Sequence, residues 1–334
     1  MCRGGWARRR RTLEGSVRGT PRTLVPMLLA AIPSPSVNGF HLGPLYIHFY
    51  GLMYVVGIGL AVYLGRRRWQ AAGGDPELVD EVAMWGVPFG ILGGRIYFDL
   101  TTPKGIPHHW WGPLAVWDGG LGIWGGVALA TVVCVWRLRR AGVPVAGMMD
   151  ALAPCLLIAQ AIGRIGNYFN QELFGGPTSL PWGLEIDPAY RPAGYLQNAT
   201  FHPTFLYELI WNLLLAALLI RLGRSGRIRP GGLFPLYVAG YSAFRVFEES
   251  LRVDYSQYFL GLRLNFYIAA LVALAGVVWF VLLQRRTPGE AIAEPAEPVE
   301  SAEPAEPAEP AESTESDESA ESDESAAEET PARP

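Results

Sequence analysis

The chain has 334 residues, 50% of them hydrophobic and only 17% charged, whereas a soluble domain carries about 25% charged residues; that excludes an ordinary cytosolic enzyme. Its formal net charge of −4 averages two unlike parts: 16 of the 31 acidic residues but only one of the 27 basic ones follow Arg286, so residues 1–286 are distinctly basic. The three cysteines, with Cys134 and Cys155 in apolar stretches, exclude a disulfide framework.

In chain order, residues 1–38 form a basic leader with a short apolar run. The run, 24–32, is too short to span a bilayer, is broken by Pro26 and is followed by Pro33 and Pro35. It reads either as the hydrophobic part of a signal peptide or as a stretch around a true start at Met27. Residues 39–286 then hold seven long apolar segments, at 45–64, 83–100, 116–136, 146–168, 203–222, 233–251 and 264–284. Each is near the roughly 20 residues needed to cross about 30 Å of hydrocarbon, and their apolar residues lie on every face. The expected fold is therefore an all-α integral membrane protein of seven transmembrane helices.

Arginines set its orientation. They follow the first segment (Arg66, Arg67, Arg68), the third (Arg137, Arg139, Arg140), the fifth (Arg224, Arg227, Arg229) and the seventh (Arg285, Arg286). The other connections carry only Lys104, Arg191, Arg252 and Arg263. Positive residues mark the cytoplasmic side, which puts the N-terminus outside and the C-terminus inside. The long connection 170–202 reads as a small extracytoplasmic cap. Residues 287–334, with repeated Ala-Glu-Pro followed by Ser, Glu and Asp, read as a disordered acidic tail that lacks apolar side chains to bury.

Ionisable groups within a span cost at least about 2.5–3.5 kcal/mol each on insertion scales, so each needs a partner or a purpose. The first span opens with His48 and Tyr50 in IHFYGLMY. The second carries Arg95 after Gly93-Gly94 in GGRIY, where a glycine packing notch competes with a ligand role. The third is entered through WDGGLGIWGG, residues 117–126, whose glycines suggest a broken or tightly packed entrance. The fourth closes with GRIGNYFNQELFGG, residues 163–176, in which Arg164, Asn167 and Gln171 recur at i, i+3 and i+7 on one expected helical face. HPTFLYE opens the fifth with His202 and puts Glu208 inside it. The sixth holds GYSAFRVFEESLR, where Tyr241, Arg245, Glu248 and Arg252 make a polar stripe and Glu249 is set to pair with Arg245. Arg164 and Arg245 on one cavity would form an anion site, because guanidinium groups bind phosphate in a two-pronged way. The sequence has no GxxxxGK[ST] loop, no nucleophile elbow and no metal-ligand spacing around His108-His109, so neither a cofactor nor a metal is expected, and nucleic acid is not an expected partner.

At these motifs the sequence resembles the prolipoprotein diacylglyceryl transferase family, over about residues 43–286. The resemblance rests on GRIGNYFNQELFGG together with YGLMY, GGRIY, WDGG, HPTFLYE and GYSAFRVFEESLR, in the family's order. It implies a multi-pass enzyme of the bacterial inner membrane that moves the diacylglyceryl group of phosphatidylglycerol to the lipobox cysteine of prolipoprotein signal peptides. A thioether forms and glycerol phosphate is released. Arg164 and Arg245 match the family's two most important arginines. Tyr50, Asn167, Glu172, Gly175, Tyr241 and Glu249 match other functional positions, and His202 and Glu208 lie in a further matching motif. Arg164, Arg245, Glu249, Glu172 and His202 are thus the expected catalytic group, with the proton acceptor open among the last three. Tyr50, Arg95, Asn167, Asn170, Gly175, Glu208 and Tyr241 are expected to bind substrate. Trp124 stands where many relatives carry a histidine. A transporter for an anionic solute, using the same arginines, is the competing reading, although the halves of the chain show no repeat.

Overall fold

The computed structural model describes residues 31–285 apart from Tyr255, all within one compact unit of residues 1–295. The expectations for most of the basic leader and for the acidic tail concern residues outside that range.

The described residues contain seven helices of 18 residues or more: α1 (Phe49–Ala71), α2 (Glu77–Thr101), α3 (Ile123–Arg140), α4 (Val145–Asn170), α5 (Thr204–Arg224), α6 (Leu233–Leu251) and α7 (Leu264–Arg285). By length and composition, α1, α4, α5 and α7 are apolar enough to cross a membrane. The solvent logic of the molecule is inverted. Large apolar side chains such as Val55, Leu218, Leu271, Leu274 and Leu282 are exposed, while Glu208, Asn212, Glu248 and Glu249 are buried. Such a surface is unfavourable in water and suited to hydrocarbon, and the three buried carboxylates meet arginines inside the bundle.

Two expected spans start later than hydropathy implied. Residues 45–48 are extended: β1 (Gly39–Leu42) pairs antiparallel with β2 (Leu45–His48) through a turn at Gly43, whose φ of 61° favours glycine. Residues 116–118 form a single 3₁₀ turn, and Gly119 and Gly120 have φ of 85° and 81°, so the third helix begins at Ile123 rather than 116. The broken entrance expected from the glycines is present.

Successive helices run in opposite directions, as the contacts at their ends show. At one end, Arg66 at the close of α1 pairs with Asp80 at the start of α2, and Arg137 of α3 with Glu81. Arg68 donates to the Ala151 carbonyl of α4 at 2.8 Å. Asp150, a carboxylate inside an expected span, accepts the Gly231 and Phe234 amides at 2.6 and 2.9 Å and so caps the N-terminus of α6. At the other end, α1, α4, α5 and α6 meet around the arginines. Helix α4 is the hub, packed against α1, α5 and α6. Helices α2 and α3 approach through glycines: a Cβ on Gly93 would lie 2.4 Å from the Gly125 carbonyl oxygen, backbone against backbone.

Between α4 and α5 lies a small cap. Its strands β3 (Leu184–Glu185) and β4 (Thr200–Phe201) pair antiparallel over a core of Phe174, Leu184, Ile186 and Phe201. A short hairpin, β5 (Tyr258–Phe259) with β6 (Leu262–Arg263), joins α6 to α7.

Candidate active site

Helix α4 ends in a left-handed residue, Gln171, with φ of 50°. The helical face expected to run from Arg164 to Gln171 is therefore cut short. Gln171 turns away, accepting from the Ser34 hydroxyl at 3.0 Å and the Asp187 amide at 2.8 Å, and anchors the cap instead. Arg164 and Asn167 stay on the helix. Arg164 Nη1 donates to Asn167 Oδ1 at 3.1 Å, and Asn167 Nδ2 donates to Glu172 Oε1 at 2.8 Å. Asn170 Nδ2 reaches the same oxygen at 3.2 Å, so Glu172 is an exposed carboxylate held by two amides one step from Arg164.

Arg164 and Arg245 do converge. Arg164 Nη2 lies 2.8 Å from Glu208 Oε1, and Arg245 Nη1 donates to Glu208 Oε2 at 3.2 Å. One carboxylate from α5 thus bridges guanidinium groups from α4 and α6. The Glu208 side chain is fully buried, whereas those of Arg164 and Arg245 keep 18% and 17% exposure. The carboxylate sits behind and the cations face the open side. Arg245 also bonds Glu248 through Nη1, and Glu249 through Nη2 at 2.5 Å. Tyr241, one turn earlier on α6, neighbours both Arg164 and Glu208. Tyr50 belongs to the same end: its ring would meet a Cβ on Gly166 at 2.4 Å, and its hydroxyl is 3.1 Å from that of Tyr54.

Sequence reading missed what surrounds Glu249. This carboxylate is shared among Arg245, Arg263 at 2.8 Å and Arg252 at 3.3 Å. Both newcomers also grip Asp254, at 2.7 Å from Arg252 and 3.0 Å from Arg263. Burial alone would raise the Asp254 carboxyl, but the hydrogen bonds and charges of the two arginines outweigh it and hold it below the usual carboxylate range. Arg252 extends the α6 stripe and was visible in that sense; Arg263 comes from the β5–β6 hairpin and has no such signal.

Three expected residues stand apart from this cluster. Arg95 is almost wholly buried and donates to the carbonyls of Gly112 (2.6 Å), Pro113 (2.8 Å), Gly119 (2.7 Å) and Gly120 (3.2 Å), with Asp99 at 3.2 Å. Its donors fasten the 112–120 segment to α2. Gly175 serves close packing: its amide donates to the His202 carbonyl at 2.9 Å, and a Cβ there would lie 2.8 Å from His202 Cβ. His202 Nδ1 is 3.2 Å from the Tyr207 hydroxyl, in the cap. A cavity of about 510 Å³ opens beside the cluster, lined by His48, Asn170, Glu172, Phe174, Tyr190 and Asp254 among others. Among the described residues no group of His, Cys, Asp and Glu is arranged to hold a metal ion.

The arrangement can hold an oxyanion between two guanidinium groups at the edge of an apolar bundle. The family model described as prolipoprotein diacylglyceryl transferase matches residues 38–282, which include every one of these groups. The chain belongs to this family. Among its relatives are phosphatidylglycerol–prolipoprotein diacylglyceryl transferase 2 of Streptomyces coelicolor, 48% identical over 269 residues, covering 79% of this chain and 84% of that one. The corresponding transferase of Cutibacterium acnes is 49% identical over 264 residues, 78% and 89% of the two chains. That of Bifidobacterium adolescentis is 42% identical over 274 residues, 78% and 82%. The relatives are named as transferases, and the transport reading is not carried forward. Within this family member Trp124, half exposed on the first turn of α3, lies outside the arginine cluster.

Proposed function

We propose that the chain transfers the diacylglyceryl group of phosphatidylglycerol to the lipobox cysteine of prolipoproteins, and that Arg164 and Arg245 hold the lipid phosphate. The observation that carries this is the convergence of two guanidinium groups, from α4 and α6, on the open side of one buried carboxylate. Phosphatidylglycerol brings a phosphodiester monoanion. The cysteine sulfur forms a bond to the terminal glycerol carbon of the diacylglyceryl group, the bond from that carbon to the phosphate oxygen breaks, and the electron pair leaves with glycerol phosphate. Charge gathering on the phosphate is stabilised by guanidinium groups already in place, in a site poor in water.

A free thiol has a pKa of about 8.5, and its thiolate is the nucleophile, so a proton must leave near neutral pH. Of the three acceptors considered, Glu249 is occupied by three arginines and His202 sits in the cap against Tyr207. Glu172 is exposed, tied through Asn167 to Arg164, and takes the proton in this reading. Tyr50, Tyr241 and Asn167 line the approach and suit hydrogen bonds to glycerol and phosphate oxygens.

In this reading all seven helices cross the inner membrane of a bacterium. The arginine-rich ends of α1, α3, α5 and α7 face the cytoplasm, and the arginine pair and the cap face outward. Residues 39–286 are the catalytic unit, with residues 1–38 and the acidic 287–334 as appendages. The test is mass spectrometry of a lipobox peptide incubated with the purified chain and phosphatidylglycerol vesicles. A diacylglyceryl mass increment on the cysteine is expected; an unmodified peptide, with an active relative as positive control, would overturn the assignment.

A further inference from the structure

The transfer chemistry uses the arginine pair and Glu172 and leaves the neighbouring cavity of about 510 Å³ without a role. That cavity is tied to both arginines. On one wall stands Glu172, which accepts from Asn167 at 2.8 Å, and Asn167 in turn accepts from Arg164 at 3.1 Å. On another stands Asp254, held by Arg252 and Arg263, which also bond Glu249, the partner of Arg245. Asn38 and His48 flank it from the hairpin before α1, Phe174 from the exit of α4, and Tyr190 from the cap. All these elements lie at the end of the bundle opposite its arginine-rich termini.

Resting on the transferase reading, we propose that this cavity receives, in extended form, the residues that follow the lipobox cysteine of the prolipoprotein. The reacting sulfur meets the glycerol carbon beside Arg164 and Arg245 and gives its proton to Glu172, so the cysteine lies at the cavity wall. The residues before it are the apolar part of a signal peptide and stay in hydrocarbon. Those after it begin the mature chain and leave the lipid on the outer side, since unpartnered backbone groups are costly in hydrocarbon. A rounded cavity of this volume is about 10 Å across, the reach of three extended residues at about 3.3 Å each. Tyr190 is 51% exposed and offers a ring face and a hydroxyl. The Asn38 Oδ1 accepts the Tyr46 hydroxyl at 2.6 Å, which leaves the amide nitrogen to donate to a peptide carbonyl. Tyr190 and Asn38 thus read the acceptor protein beyond its cysteine and touch none of the reacting atoms.

The test compares two acceptors on the full chain in nanodiscs containing phosphatidylglycerol. One is a lipobox peptide ending at the cysteine as an amide; the other continues for three neutral polar residues before the amide, so that neither carries a terminal carboxylate. In the wild type the longer peptide is expected to have a kcat/KM about tenfold higher, the scale of one good contact. Y190A is expected to reduce that advantage to about twofold while the rate with the short peptide and the KM for the lipid stay unchanged. The backbone amide of Tyr190, which donates to the Asp187 carbonyl at 2.9 Å, is kept in this variant. N38A gives the same comparison if Y190A does not fold. Equal kcat/KM for the two peptides in the wild type would overturn the proposal. So would an equal fall for both peptides in the variant, which would mean that the side chain only supports the fold. If the wild type forms a thioether on neither peptide, it is the transferase reading that fails.

Discussion

Arg95→Lys distinguishes a guanidinium that reads lipid from one that fastens the chain to itself. Arg95 is 3% exposed and its fork serves the carbonyls of Gly112, Pro113, Gly119 and Gly120. A lysine ammonium keeps the charge but lacks the planar spread, and from one nitrogen it cannot reach carbonyls on both sides of the segment. Losing two charge-assisted hydrogen bonds at about 1.5 kcal/mol each weakens the attachment by about 3 kcal/mol. That corresponds to a roughly hundredfold increase in local opening of the 112–120 segment, with the bundle intact. Hydrogen exchange read by mass spectrometry on peptides covering 102–122 is expected to quicken by that order while α4–α6 keep their protection. The lipid KM, measured in the same preparation, is expected to move much less. Unchanged exchange together with a tenfold rise in KM would refute the reasoning and return Arg95 to direct contact with the lipid.

Arg164→Lys and Arg245→Lys are each expected to lower transfer at least a hundredfold, since a point charge replaces a two-pronged one, while both proteins still insert; transfer near the wild-type rate in either would contradict the phosphate role. The corresponding alanine variants also strand the buried Glu208 or Glu248 carboxylates, so their melting temperatures should fall further than those of the lysine variants. Gly166→Ala drives a Cβ to within 2.4 Å of the Tyr50 ring and 3.2 Å of its Cα; destabilisation of about 1–3 kcal/mol and displacement of Tyr50 are expected, read by thermal unfolding and by transfer rate. For Asp254, the folded-state pKa is lowered, so its stabilising contribution is present above its ordinary value of about 3.9 and is lost as pH falls through the folded value. The wild type should therefore keep its advantage over Asp254→Asn in thermal unfolding from neutral pH to about pH 4 and lose it below; a difference independent of pH down to the acid limit would count against the ion-pair account.

The arginine pair was legible because a charge in an apolar segment is conspicuous and Arg164 and Arg245 each sat among further polar residues near one expected side. Hydropathy also found all seven long helices of the described residues, since apolar side chains dominate each of them. Their ends were less accessible. Residues 45–48 are as apolar as a helix and only the positive φ of Gly43 reveals the turn before them, whereas at 116–122 the glycines signalled a break but not where the helix begins. Gln171 misled for the opposite reason: nothing about a glutamine announces a left-handed helix end, so the spacing from Arg164 was extended one turn too far. The second ring of charge around Glu249 depends on Arg263, which a hairpin delivers from 14 residues away, and no periodicity carries that information. Arg95 looked like either a packing or a ligand residue; its role rests on how residues 112–120 fold, which the string of letters does not specify.

The cap is sewn to the bundle at one seam. The Gly176 amide takes the Leu251 carbonyl at 2.7 Å, the Gly175 amide takes the His202 carbonyl at 2.9 Å, and Thr204 Oγ1 bonds the Leu173 carbonyl. These stitches tie the exit of α4, the entry of α5 and the exit of α6 together within two turns of Glu208 and Arg245. The helices can splay at their far ends without changing the gap between the two guanidinium groups, because backbone hydrogen bonds close to that gap fix it. The spacing between the arginines is a property of the protein's own backbone.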